Sequence, residues 1–232
     1  MHVEEIWRYP VKSMGGERVD AATVTSLGIV GDRGWGLADD RTGTVLTGRR
    51  APALLTATAV VVDGRPVITT ADGEKLDDDR TLSDWLDRPV RLVAAADEGG
   101  TYENPLDPWE ETDWVSWTGP PGAWHDSGRS RLSIVSRHSL GDWDVRRFRA
   151  NIVVSGEGED EFVGSRVALG DAVLDITKRI SRCVMVTRPQ PGLPRDLDVL
   201  KRVNDERDGC LSIGATVLRE ATIRVGDELR AV

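Results

Sequence analysis

Thr56-Ala57-Thr58-Ala59-Val60-Val61-Val62-Asp63-Gly64-Arg65-Pro66-Val67-Ile68-Thr69-Thr70 sets two β-prone runs, 56–62 and 66–70, on either side of an Asp-Gly pair. Branched side chains suit a pleated strand, and Asp-Gly marks a turn, so the stretch reads as an antiparallel hairpin. The pattern repeats toward the N-terminus. Residues 3–9 read as a first strand ended by Pro10, and 19–25, 34–38 and 44–46 as further short strands. Toward the C-terminus, 81–86 reads as a short capped helix and 90–94 as strand. Residues 97–130 turn polar, with clustered Pro, Gly, Asp and Trp. A loop of that length in a compact protein is often functional, and this one reads as a connecting excursion with the makings of a lid. Strands are expected again at 132–136, 151–154, 166–169, 172–177, 183–187, 214–219 and 222–230, with helices near 139–148 and 196–204. Long helices do not alternate with strands, which excludes a doubly wound parallel sheet. The fold class is mainly β with few helices, divided into 1–96, 97–130 and 131–232.

The chain has 232 residues and a formal net charge of −9. No global basic field is present, so nucleic acid and anionic membrane surfaces are not expected as partners. No run of 18 apolar residues marks a membrane span, and the acidic start Met1-His2-Val3-Glu4-Glu5 is no signal peptide. Two cysteines make no disulfide framework, although a Cys183–Cys210 bridge remains open; free thiols in a cytoplasmic location are the simpler expectation.

Most chemical signatures are missing. Gly31-Asp32-Arg33-Gly34-Trp35-Gly36 lacks the dinucleotide order and a following helix. The three histidines are far apart, and no C-x-x-C, H-E-x-x-H or G-x-S-x-G occurs. Two basic clusters break the acidic background: Arg146-Arg147-Phe148-Arg149 and Lys178-Arg179 with Arg182. Cys183 follows the second, in Arg179-Ile180-Ser181-Arg182-Cys183-Val184-Met185-Val186-Thr187. Neighbouring positive charge favours a thiolate, and a thiolate prefers soft or high-valent metal centres. Taken singly, Cys183 and Cys210 also read as small buried hydrophobes, Lys12 as a solvated strand-end lysine, and Arg33 and Arg149 as surface partners of acids. Five of the eight tryptophans (Trp85, Trp109, Trp114, Trp117, Trp124) fall within forty residues, as packing groups or as a substrate-facing wall.

Four segments in order change that reading: Tyr9-Pro10-Val11-Lys12-Ser13, Gly31-Asp32-Arg33-Gly34-Trp35, Phe148-Arg149-Ala150-Asn151-Ile152-Val153-Val154, and Ser181-Arg182-Cys183. Together they resemble the MOSC family, relatives of the C-terminal domain of molybdenum cofactor sulfurases. The likeness is to the mitochondrial amidoxime-reducing component and its bacterial homologues, and it covers nearly the whole chain.

The resemblance implies an N-terminal MOSC-type β-barrel segment packed on a MOSC β-barrel domain, with the molybdenum cofactor (Mo-molybdopterin) between them. It implies Cys183 as catalytic residue and molybdenum ligand. Lys12, Ser13, Arg33, Ser130, Arg149, Asn151, Ser181 and Arg182 become the expected cofactor-binding residues. Lysine and arginine neutralise phosphate, serine donates through its hydroxyl, and asparagine offers a pterin both a donor and an acceptor. The implied activity is reduction of N-hydroxylated compounds (amidoximes, hydroxylamines, N-hydroxylated bases). The chain shows no ferredoxin-type cysteine set like that fused to some bacterial relatives. A separate electron-transfer protein of flavin, ferredoxin or cytochrome type is therefore expected, and pyridoxal phosphate is not. Gly214-Ala215-Thr216 stands where some relatives place a tyrosine. Two other functions stay open: a cofactor or sulfur carrier using Cys183 as persulfide or transfer thiol, and a non-catalytic β-barrel binding module with an inert cysteine.

Overall fold

The computed structural model describes residues 1–107 and 112–232. Its strands are β1 (Val3–Arg8), β2 (Glu17–Val19), β3 (Ala21–Thr25), β4 (Gly28–Ile29), β5 (Trp35–Asp39), β6 (Ala57–Val62), β7 (Arg65–Thr70), β8 (Val90–Ala94), β9 (Thr101–Asp107), β10 (Thr112–Thr118), β11 (Leu132–Ser136), β12 (Ile152–Val154), β13 (Arg166–Leu169), β14 (Ala172–Ser181), β15 (Cys210–Arg219), β16 (Ala221–Arg224) and β17 (Leu229–Ala231). Among the described residues three α-helices join them: α1 (Asp79–Leu86), α2 (Arg137–Leu140) and α3 (Asp198–Arg207). The fold is mainly β, as expected.

Eight strands form the principal sheet, in the order β17-β13-β14-β15-β11-β12-β1-β2. Its pairs are antiparallel except β11 with β12. The remaining sheets are small: β16-β3-β4, and the pairs β5-β8, β6-β7 and β9-β10. The opening hairpin is β6-β7. Val62 pairs with Arg65 across a two-residue turn in which Asp63 and Gly64 both have positive φ, 49° and 77°. Such a turn matches the right-handed twist of its strands, which is why Asp-Gly specifies it.

The aliphatic side chains gather into three main cores. One lies on the principal sheet, with Ile6, Ile134, Ile152, Leu174 and Ile213. A second, with Val11, Leu37, Leu54, Ile68 and Leu82, fills the N-terminal half. A third packs α3, through Val199 and Val203, on Val135, Val153 and Leu211. Each fully buried aliphatic side chain contributes about 1.5–3 kcal/mol.

Some local expectations shift. Residues 183–187 are not a strand: β14 runs on to Ser181, and Val184–Thr187 form a 3-10 turn that presents Val186 to the α3 core. The helix expected at 139–148 breaks, because Gly141 (φ 53°) ends α2 and only the single turn Val145–Arg147 follows. Helix α1 begins at Asp79, since Asp78 and Thr81 form a reciprocal capping box. The run expected at 44–46 makes only an isolated bridge, Ala38 to Val45, and 222–230 divides into β16 and β17. The 97–130 excursion carries the β9-β10 hairpin. Gly100 and Gly119 close its base, where an added Cβ would lie 2.1 Å from the Trp124 and Tyr102 rings respectively.

Strand polarity positions the site. β1 and β12 are antiparallel, so the segment leaving β1 meets the segment entering β12; Trp7 N–H donates to the Asn151 carbonyl. β11 runs parallel to β12 and starts beside it, and β15 ties β11 to β14, pairing Ser133 with Gly214 and Lys178 with Gly214. Segments more than a hundred residues apart thereby open onto one end of the sheet.

Candidate functional site

That end holds a cavity of about 520 Å³, and all nine sequence-derived candidates line it: Lys12, Ser13, Arg33, Ser130, Arg149, Asn151, Ser181, Arg182 and Cys183. On a chain of net charge −9, the lining carries, among the described residues, the cations Lys12, Arg33, Arg49, Arg147, Arg149, Lys178 and Arg182 against one acid, Asp126. Such a concentration of one sign within a concave wall focuses potential on an anionic guest.

Lys12 comes from the bend after β1. Its ammonium is buried, donating to the Trp124 carbonyl at 3.0 Å and to Asp126 at 2.5 Å, above the Tyr102 ring at 4.1 Å. Burial lowers its pKa, and Asp126 opposes that shift. The surrounding cavity wall partly desolvates Asp126, which works against its ionisation, but Lys12 outweighs this and holds the carboxyl at about 2. The Asp126 side chain is 83% exposed, so it faces the open cavity rather than the core.

Arg33 pairs with buried Asp32, which also accepts the Tyr9 N–H at 2.7 Å. Arg149 lies beside it, both guanidinium groups standing over the Tyr9 ring at 5.0 and 5.5 Å. Arg149 donates only weakly to the Val11 carbonyl, at 3.4 Å, and its buried Nε has no protein partner. Burial, and then Arg33, hold its pKa down at about 10. A buried cation with unmet donors is stabilised by any anion that reaches it.

The remaining polar groups are more committed. Asn151 Oδ1 accepts from the Ser133 N–H and hydroxyl, and its Nδ2 donates to the Trp7 carbonyl at 3.2 Å. The Ser13 hydroxyl accepts the Gly48 N–H at 2.8 Å. Ser130 sits over Gly214, where an added Cβ would lie 2.7 Å from its hydroxyl. Gly214 therefore makes room for Ser130 in this chain. Arg182 donates to the carbonyls of Leu211 (2.7 Å) and Phe148 (2.9 Å) and to the Ser212 hydroxyl (2.6 Å). That occupies three of its five N–H groups and leaves two. Cys183 follows in extended conformation at the head of the 3-10 turn, half-buried and free.

Backbone strain collects here as well. Eight described non-glycine residues have positive φ: four aspartates, and Ser13, Arg33, Arg149 and Ser212. Aspartate tolerates that region in ordinary turns. Of the other four, three line the cavity and Ser212 accepts from Arg182. Strain of this kind persists where surrounding packing enforces it, commonly at ligand sites.

Only part of each basic cluster serves the cavity. Lys178 and Arg182 line it, whereas Arg179 turns to Asp160 at 3.3 Å and Asp208 at 3.5 Å. Arg147 and Arg149 line it, whereas Arg146 pairs with Asp144 at 2.6 Å. Among the expected aromatic contacts, Trp117 lines the cavity. Trp114 lies under the Arg50 guanidinium at 4.6 Å, Trp124 is buried against Tyr102, and Trp109 falls outside the described residues. Asp126, Tyr102 and Ser133 escaped the sequence reading; an adjacent titratable pair, His125-Asp126, inside the excursion was the available signal for the first.

His125 also faces the cavity and is 4% exposed. Burial, then Arg33, lower its pKa from 6.5 to about 4. Between those values the unfolded chain binds more protons than the folded one, so stability falls as pH drops from 6.5 toward 4, by about 3 kcal/mol. Urea midpoints across that range are expected to show the decline in the wild type and a flatter profile in His125→Asn.

Among the described residues no helix is long and apolar enough to cross a membrane. Residues 1–116 match the MOSC N-terminal beta barrel domain, and residues 124–230 match the MOSC domain. The chain is 22% identical over 228 residues to molybdenum cofactor sulfurase 2 of Aedes aegypti, covering 87% of this chain and 28% of that protein's length. Two solved structures are also similar to it. For YuaD from Bacillus subtilis the TM-score is 0.46 at 13% identity, over 98% of this chain and 93% of that one. For YiiM from Geobacillus stearothermophilus the TM-score is 0.35 at 18% identity, over 59% and 74%. The two family matches divide nearly all of the sequence between them, and the cavity draws its lining from both, so this chain belongs to the MOSC family.

Proposed function

We propose that this protein binds the molybdenum cofactor in the cavity and reduces N-hydroxylated compounds, with Cys183 as the metal's protein ligand. MOSC domains are linked to molybdenum cofactor binding or sulfuration. The observation that carries the reading is convergence: nine residues, eight from four separate segments and Ser130 from a fifth, share one cation-rich cavity with a half-buried thiol.

The residues suit the group. Arg149 keeps a buried, unpartnered Nε, and Arg182 keeps two free N–H groups, both suited to phosphate or pterin oxygens. Lys12 and Arg33 add positive charge, while Ser13, Ser130 and Ser181 supply hydroxyls. Asn151, pinned by Ser133, shapes the wall in a fixed orientation. When bound, the molybdenum group supplies two-electron cleavage of an N–O bond: with two electrons and two protons, R–NHOH becomes R–NH2 and water. The chain's own part is to neutralise the anionic guest, orient it through the rigid arginine forks, and limit access to the reacting end. In this proposal the electrons arrive from a separate redox protein, and the cytoplasm is the location that suits two free cysteines.

The test is metal and pterin analysis of protein made in a host that synthesises the cofactor, followed by turnover of an amidoxime with a chemical reductant. Equimolar molybdenum and pterin with repeated turnover are expected. Absence of molybdenum under those conditions would overturn the reading. Transfer of cofactor or sulfur without turnover would favour a carrier, the role in keeping with the name of the Aedes aegypti relative.

A further inference from the structure

We propose that the β9-β10 hairpin forms a specificity ledge that takes a flat apolar group of the substrate where the cavity opens. The proposal rests on the reductase reading for the reacting end of that substrate and adds the class of its other end: an aryl amidoxime or aryl hydroxylamine.

In an antiparallel pair, opposed residues share a face and alternate residues return to it. Trp117 opposes Tyr102 and Val115 opposes Asn104, so these four stand on one face, and alternation along β9 adds Leu106. Trp117 and Asn104 line the cavity. Burial falls away along this face: Tyr102 is 0% exposed, Val115 42% and Leu106 68%. The face thus begins inside the cavity and continues outward through the exposed apolar side chains of Val115 and Leu106, with the polar Asn104 beside Val115.

Its inner end is held still. The Trp117 ring lies 4.9 Å from that of Tyr102, which is fixed between the Lys12 ammonium at 4.1 Å and the Trp124 ring at 6.2 Å. The opposite face of the hairpin is tied to the cavity wall. Arg50 stacks on Trp114 and pairs with Glu103 at 3.0 Å, next to Thr47, Gly48 and Arg49, which line the cavity. The indole N–H of Trp117 is buried without a protein partner, a donor available to a polar atom of the guest. A rigid indole edged by valine and leucine favours a planar ring over a small alkyl group, because the ring removes more apolar area from water and stacks.

The experiment compares benzamidoxime with acetamidoxime on the wild type and on Val115→Asp and Leu106→Asp, substitutions at exposed positions. Saturation-transfer NMR of benzamidoxime without reductant supplies a readout independent of turnover. The wild type is expected to favour the aryl substrate, and each variant to lower its kcat/KM about tenfold through KM while leaving acetamidoxime unchanged. Transfer to the ring protons should weaken in parallel. Equal use of both substrates by the wild type, or equal losses on both in the variants, would overturn the ledge. Ring contact that both variants abolish, in a protein that reduces neither amidoxime, would leave the ledge standing and remove the reductase reading.

Discussion

Cys183→Ser is expected to reduce amidoxime turnover by more than about a hundredfold while leaving the fold intact; losses of ten- to a hundredfold already follow from changes one shell further out at metal sites. Serine is nearly isosteric with cysteine, but its oxygen is hard and protonated at neutral pH, and a soft or high-valent centre favours sulfur. Nothing in the local backbone depends on the thiol. Cys183 is extended and makes no side-chain cap, and its carbonyl still accepts the Val186 N–H at 3.2 Å. The urea midpoint of the variant is therefore expected within about 0.5 kcal/mol of the wild type. Paired measurements of stability and turnover separate loss of a ligand from loss of fold. A variant that keeps wild-type turnover would remove Cys183 from the chemistry.

Arg182→Ala should act in the opposite manner, lowering stability by about 4 kcal/mol whether or not cofactor is supplied. Its guanidinium joins the Phe148 carbonyl, just before Arg149, to the Leu211 carbonyl and the Ser212 hydroxyl on β15. Alanine would strand these acceptors in a wall where the neighbouring Leu211 and Ser212 are fully buried. Burial, the main influence on Arg182, holds its pKa down at about 10, still well above neutral, so the cation persists and its bonds are charge-assisted. Chemical denaturation of cofactor-free protein reads the effect directly. An unchanged midpoint would mean that these three bonds add nothing net. Arg182→Lys should recover little, since an ammonium cannot span three acceptors arranged around a planar fork.

The hairpin at 56–70 was legible because its signals are local: branched residues favour strands, and Asp-Gly favours positive φ at both turn positions. The 183–187 stretch misled for the complementary reason. Cys-Val-Met-Val-Thr has strand composition, but Val186 is claimed by the core beneath α3, and burial overrode propensity. The break after α2 was hidden because Gly141 acts through its conformation in context. The 97–130 segment read as irregular because β9 and β10 are polar on much of their surface, and their pairing depends on Tyr102 and Trp124 packing at the base.

The identity of the site residues came from the family resemblance that four short segments in order carry, each weak alone. The sequence by itself determined a mainly β chain, its family, and which side chains bring charge or sulfur to the chemistry, because these are properties of residue type and local pattern. Tertiary structure alone decided which of those charges face the cavity and which are spent elsewhere. Arg179 and Arg182 differ in nothing the sequence displays, yet one meets acids on the flank and the other spans β15 and the Phe148 carbonyl. That division follows from tertiary pairing: Arg179 is held on β14 opposite Ile213, whereas Arg182 lies just past the end of that strand, where the chain turns toward β15.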